Sequence, residues 1–215
     1  MKITVVYDNH GGKNLNAGWG FSCLLEAHGK KILFDSGDDG KALLFNMEKL
    51  GITPQEVDCI FISHGHMDHC GGLASFLGVC GNLPVFVPHS AYKMVKNIGP
   101  EAQVKAISEP QKLYDGFYTT GELKGIEQSL VVKGEKGNVV ICGCAHPGLE
   151  NIIEKAREFG EVYGVVGGFH GFDKFVTLEN VRIIIPCHCT QYKNEIAKRF
   201  PESYAECHTG AVFEV

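Results

Sequence analysis

Short apolar runs alternate along the chain with stretches in which hydrophobic residues recur at three- and four-residue spacing. Residues 3–7, 21–26 and 31–34 read as strands, the last two joined through a turn at His28-Gly29-Lys30. Leu43, Leu44, Met47 and Leu50 fall on one helical face and Gly51 supplies a stop, so the spacing predicts a helix over 40–50. A strand at 59–62 follows, and Gly71-Gly72-Leu73 opens a short helix through 77. The pattern is weakest over 80–125, where a strand at 84–88, a helix over 91–97 capped by Ser90 and further short strands are expected. The rhythm then returns with strands at 128–132 and 139–142, a helix over 149–159, strands at 162–166 and 181–185, a helix at 194–199 and a closing edge strand at 210–215. Strand, helix, strand in both halves predicts an α/β protein in which two packed sheets carry helices outside, a four-layer αββα sandwich.

Four of these apolar runs lead to a histidine. Cys59-Ile60-Phe61-Ile62 opens into His64-Gly65-His66-Met67-Asp68-His69, and the later runs lead to His146, His170 and His188. In an extended loop His64 and His66 project to the same side and can share a cation, while Asp68 and His69 diverge at the start of a helix and address a second position. Imidazoles with a carboxylate suit zinc first, then manganese or iron, over calcium or magnesium. The bland alternative is a histidine-rich surface loop; the strand before it and the Gly-Gly helix start after it argue against that.

Composition narrows the function. A length of 215 residues, 44% of them hydrophobic, suits one core and one domain over 1–215. The net charge of -5 comes without any Lys/Arg cluster beyond pairs such as Lys30-Lys31 and Lys198-Arg199, so no footprint for a polyanion is present and no nucleic-acid partner is expected. No stretch has the length and apolarity of a membrane span, and residues 1–8 read as a strand and turn in place of a secretory signal. A cytoplasmic setting with a small-molecule substrate is therefore expected, the oligomeric state being left open. The nine cysteines are an odd number and fit free thiols or thiolates in a reducing compartment.

The segment His64 to His69 resembles the His-x-His-x-Asp-His motif of the metallo-β-lactamase superfamily, and nearly the whole chain follows that pattern. Tyr7-Asp8-Asn9, Trp19-Gly20-Phe21-Ser22, Gly143-Cys144-Ala145-His146-Pro147-Gly148, Gly167-Gly168-Phe169-His170 and Pro186-Cys187-His188-Cys189-Thr190 look like one subgroup of it. That subgroup is labelled metal-dependent hydrolase or 7,8-dihydropterin-6-ylmethyl-4-(β-D-ribofuranosyl)aminobenzene 5'-phosphate synthase. The resemblance implies a metallo-β-lactamase-like αββα sandwich with two mixed sheets and one or two divalent metals at one edge. It implies His64, His66 and His146 as ligands of one metal and Asp68, His69 and His188 as ligands of the other, with Asp35 orienting the loop from behind. The family's bridging aspartate is missing, since the matching strand runs Val166-Gly167-Gly168-Phe169-His170. Either His170 takes its place as a ligand or a proton donor, or Asp173 reaches back, or one metal binds alone.

The expected activity is hydrolysis of a small molecule, such as a phosphate ester or pterin-linked compound, by a metal-bound hydroxide. Asp68 would orient it or accept its proton, and His170 would protonate the leaving group. His208 is a weaker candidate donor, and Trp19, His89, Tyr192 and Lys193 are candidate substrate contacts. Two alternatives remain: a non-hydrolytic synthase of the subgroup's kind, and an iron or iron-sulfur redox or sensor protein using Cys142, Cys144, Cys187, Cys189 and Cys207 as thiolate ligands. Ordinary packing of small thiols at strand ends competes with that last reading.

Overall fold

The computed structural model describes residues 1–100 and 102–215. Strands β1 (Lys2–Tyr7), β2 (Ser22–Ala27) and β3 (Lys30–Phe34) form an antiparallel meander. Helix α1 (Gly40–Lys49) starts where the Asp39 side chain accepts the N–H groups of Lys41 and Ala42, and it stops at Gly51, whose φ of 68° is open to glycine. It crosses to β4 (Cys59–Phe61), parallel to β3. Helices α2 (Met67–Cys70) and α3 (Leu73–Cys80), strand β5 (Pro84–Pro88), helix α4 (Tyr92–Ile98) and strand β6 (Gln103–Ile107) continue the parallel part. Ser90 does not cap α4, because a single 3-10 turn precedes that helix and the Ser90 N–H donates to Glu122.

Strands β7 (Gln111–Tyr114), β8 (Phe117–Thr119), β9 (Leu130–Gly134) and β10 (Gly137–Cys142) are antiparallel neighbours. Helix α5 (Leu149–Ala156), strands β11 (Val162–Gly168) and β12 (Ile183–Cys187), both parallel to β10, and helix α6 (Lys193–Arg199) follow. Strand β13 (Val212–Glu214) returns to pair with β1. The sheets run β13-β1-β2-β3-β4-β5-β6 and β12-β11-β10-β9-β8-β7, both mixed.

Alternation along each strand sorts the side chains into layers. Ile32, Phe34 and Phe61 of the first sheet meet Val132, Ile141 and Ile185 of the second. Leu33, Ile60 and Val85 turn outward onto Leu43 and Met47 of α1 and Phe76 of α3, and Val140, Val165 and Ile184 turn onto Leu149, Ile152 and Ile153 of α5. Strands covered on both faces read as continuous apolar runs, which is why β10 to β12 stood out in the sequence. Each fully buried Leu or Ile contributes about 1.5–3 kcal/mol relative to exposure. Buried Gln128 ties the sheets together beside the site, its N–H donating to Ser63 O and its Nε2 to Ile62 O, both at 2.9 Å. No helix among the described residues is long and apolar enough to cross a membrane.

Candidate metal centre

The histidines gather where parallel strands of both sheets end. Strand β4 delivers His64 and the loop into α2, which carries Asp68 and His69; β10 delivers Cys144 and His146, β11 His170, and β12 His188. Asp35, Ala145, His170 and His188 adopt φ of 53°, 53°, 47° and 43° as the chain turns out of these strands. Left-handed backbone at non-glycine residues costs on the order of 1–3 kcal/mol each and collects at sites where side-chain placement matters.

Two groups of ligand atoms result. In the first, the rings of His64, His66 and His146 lie 4.6 to 4.9 Å apart, and His64 Nε2 is 3.1 Å from His66 Nδ1. Buried His146 Nε2 has no hydrogen-bond partner. In the second, Asp68 Oδ2 lies 3.1 Å from His188 Nε2 and 3.7 Å from His69 Nε2. The His64 and His69 rings, 4.2 Å apart, join the two groups.

Hydrogen bonds behind the rings fix which nitrogen faces inward. Asp35 is fully buried; it accepts the Ser63 N–H, the Ser63 hydroxyl and the His69 Nδ1–H, each at 2.7 Å. Because that hydroxyl donates to Asp35, Ser63 Oγ is left to accept His64 Nδ1–H at 2.9 Å. His188 Nδ1–H donates to Asn9 Oδ1 at 2.8 Å, the amide being oriented by its own Nδ2 bond to His188 O and by the Gly20 N–H. Asp8, also fully buried, accepts the His188 N–H at 2.8 Å. The Nε2 atoms of His64, His69 and His188 are therefore bare lone pairs turned into one space with the Asp68 carboxylate. Acceptors facing acceptors at 3.1 Å repel unless a positive charge lies between them, so the donor set fits a divalent cation.

The electrostatics of His64 and His146 agree. Burial, then the neighbouring imidazoles, push His64 well below the usual histidine range and His146 down to about 4, which keeps both neutral as ligands must be. Burial alone would raise Asp68, but a hydrogen bond from His188 when its Nε2 carries a proton, and the charges of His69 and His188, bring it down to about 2; a divalent cation would take the place of that proton. Burial lifts Asp35, against the pull of His69. Burial would also lower His69, but the Asp35 carboxylate more than reverses this.

Glu127 was not anticipated. It is fully buried, and its Oε1 accepts the N–H groups of Gly143, Cys144 and Ala145 at 3.0 to 3.1 Å while Oε2 accepts that of His146 at 2.9 Å. Desolvation pushes its carboxyl up to about 7 against those donors. One side chain thus shapes the whole loop that presents Cys144 and His146.

Residues 18–188 match the metallo-beta-lactamase superfamily. The chain belongs to that superfamily. Over its whole length it is 26% identical to the 7,8-dihydropterin-6-methyl-4-(beta-D-ribofuranosyl)-aminobenzene-5'-phosphate synthase of Methanocaldococcus jannaschii, 96% of which is covered. It is similar to the structure of Tm1679, a metal-dependent hydrolase of the beta-lactamase superfamily, with 29% identity, a TM-score of 0.82, and 100% and 99% of the two chains covered. The short form of human tRNase Z shares the fold at a TM-score of 0.71 and 13% identity, with 100% of this chain and 99% of that chain covered.

The end of β11 carries no carboxylate, and at Gly168 there is no room for one. A Cβ there would meet Gly143 O at 2.5 Å and Cys189 Sγ at 2.7 Å, so no side chain fits. His170 lies beyond it, exposed, its ring 5.2 Å from that of His146, and Asp173 is exposed further along the cleft; neither joins the ligand groups. The thiols divide. Cys142 donates to main-chain oxygens of β11, Cys187 and Cys207 lie behind His188 with Asp8, and only Cys144 and Cys189 face the histidines, 3.2 Å apart. Two thiols this close hold one negative charge between them more readily than either alone, and a second charge much less readily. No four thiols converge among the described residues. His89 and His208 are exposed and outside the ligand groups, whereas exposed Trp19 packs edge-on against His188 at 4.8 Å.

Proposed function

We propose that this protein is a metal-dependent hydrolase of small molecules, with phosphate esters as the favoured class. The supporting observation is the inward turn of three imidazole Nε2 lone pairs, each with its Nδ1–H tied off behind, onto the Asp68 carboxylate. A divalent cation held by His64, His66 and His146, and a second held by Asp68, His69 and His188, would lower the pKa of a coordinated water to about 7 and polarise a carbonyl or phosphoryl oxygen. Asp68 remains ionised at neutral pH and is placed to accept a proton from water. His170 stands at the solvent side, where it can give a proton to a departing oxygen. A cleft of about 260 Å³ opens from His146 and His170 towards Asp173 and Lys174. Its size suits a small substrate, and Lys174 lines it paired with Glu150 at 2.8 Å, beside Asp173.

The test is metal analysis of the purified protein together with turnover of aryl phosphomonoesters and phosphodiesters. One or two zinc, manganese or iron ions per chain, with turnover abolished by chelation and restored by metal, is the expected result. A fully loaded protein inert towards every ester tried would remove the hydrolase reading. A second reading, a synthase reaction of the kind named for the Methanocaldococcus relative, draws on identity across both full lengths. Product formation without uptake of solvent oxygen would favour it. The iron-sulfur reading lacks its four convergent thiols.

A further inference from the structure

The missing bridging aspartate leaves a question that the cysteines answer. Cys144 Sγ belongs to two clusters of ligand atoms: it lies within 4.8 Å of the ligand nitrogens of His64 and His146, and within 4.8 Å of those of His69 and His188. Its distance to His69 Nε2 is 3.2 Å. No other side chain among the described residues belongs to both. The residue is 4% exposed, and its main-chain N–H is fastened to Glu127 at 3.1 Å, so the sulfur is held in place. Gly168 leaves room for the partner sulfur, since a Cβ there would lie 2.7 Å from Cys189 Sγ and 3.3 Å from Cys144 Cα.

We propose that Cys144 is the shared ligand of the centre, a thiolate standing where the family places its bridging carboxylate, with Cys189 as its hydrogen-bonded positioning partner. The proposal rests on the metal-centre reading above. On loading, the Cys144 S–H bond breaks, its proton leaves to solvent, and the sulfur lone pairs face both histidine groups. One negative charge is supplied, as an aspartate would supply it, but by a softer atom that favours zinc, cobalt or ferrous iron over manganese or magnesium. Cys189 Sγ lies 3.2 Å from Cys144 Sγ and belongs to neither group, which suits a donor to the thiolate.

Anaerobic titration of the metal-free full chain with cobalt(II) reads this directly, because thiolate ligation gives an intense near-ultraviolet charge-transfer band that imidazole and carboxylate do not. The expected result is a band in the unaltered protein and in Cys189→Ser, lost in Cys144→Ser while cobalt still binds at the histidines. Cys144→Asp should restore the second cobalt equivalent without the band. Zinc X-ray absorption on the unaltered protein and on Cys189→Ser needs no change at Cys144, and should find a sulfur neighbour at about 2.3 Å in both. Cobalt bound without a charge-transfer band, a band that survives Cys144→Ser, or zinc without a sulfur neighbour overturns the role of Cys144 and leaves the metal centre standing. Failure of the unaltered protein to bind cobalt or zinc at all overturns both.

Discussion

Glu127 Oε2 accepts the main-chain N–H of His146 at 2.9 Å from a fully buried position, and its other oxygen takes the three N–H groups before it. A helix N-terminus leaves N–H groups free in much the same way, and here a side chain supplies their acceptor. Glu127→Gln keeps the volume but turns an NH2 towards one set of donors. Leaving a buried donor unmatched costs about 1–3 kcal/mol. The variant should lose that stability in urea denaturation and bind metal about 10–100-fold more weakly. Unchanged metal affinity would show that the loop holds its shape without the carboxylate.

Asp35 offers a parallel case behind the other side of the centre. Asp35→Asn presents an NH2 either to the Ser63 N–H, or to the Ser63 hydroxyl and the His69 ring together; the first leaves a buried donor unmatched and the second disturbs the tautomers of both His64 and His69. A loss of about 10–100-fold in metal affinity is expected, read by competition with a chromophoric chelator. Retention of native affinity would mean that the rings are held by packing alone.

His66 is exposed, so its replacement separates ligation from folding. His66→Ala should abolish turnover and remove one metal equivalent, with thermal stability of the metal-free protein unchanged within about 0.5 kcal/mol, as for other surface substitutions. Activity surviving this change would sink its assignment as a ligand.

Two glycines make a controlled comparison. Gly78 lies exposed in α3 with nothing within 4 Å of where a methyl group would stand, so Gly78→Ala should stabilise by about 0.5–1 kcal/mol through helix propensity. Gly168→Ala sets a methyl against Gly143 O and the Cys189 sulfur, and overpacking of that kind costs about 1–3 kcal/mol. Denaturant midpoints of the two variants should move in opposite directions.

Much of this was legible in the sequence because it depends on local pattern. Apolar runs marked the strands covered on both faces, and the spacing within His64 to His69 marked side chains that gather in one place. Glu127 was hidden because Glu127-Gln128-Ser129 reads as an ordinary polar stretch, yet all three side chains are fully buried. The cysteines divide for a local reason. Strand alternation would turn Cys187 and Cys189 to the same side, away from His188, but the left-handed turn at His188 ends the alternation and sends Cys187 into the core and Cys189 to the histidines. The absence of the bridging aspartate left His170, Asp173 or a single metal as readings; the sequence did not show that Gly143 and Cys189 lie against Gly168, a proximity that only the sheet order brings about.

Because His64, His66 and His69 leave the first sheet and His146 and His188 leave the second, any ion they share is a cross-link between halves of the molecule that are far apart in the chain. Its affinity and the cohesion of the sandwich then become one linked quantity: whatever tightens the grip on the ion also raises the cost of parting the sheets at that end. Metal supply would thereby set how long the protein persists as well as how fast it works.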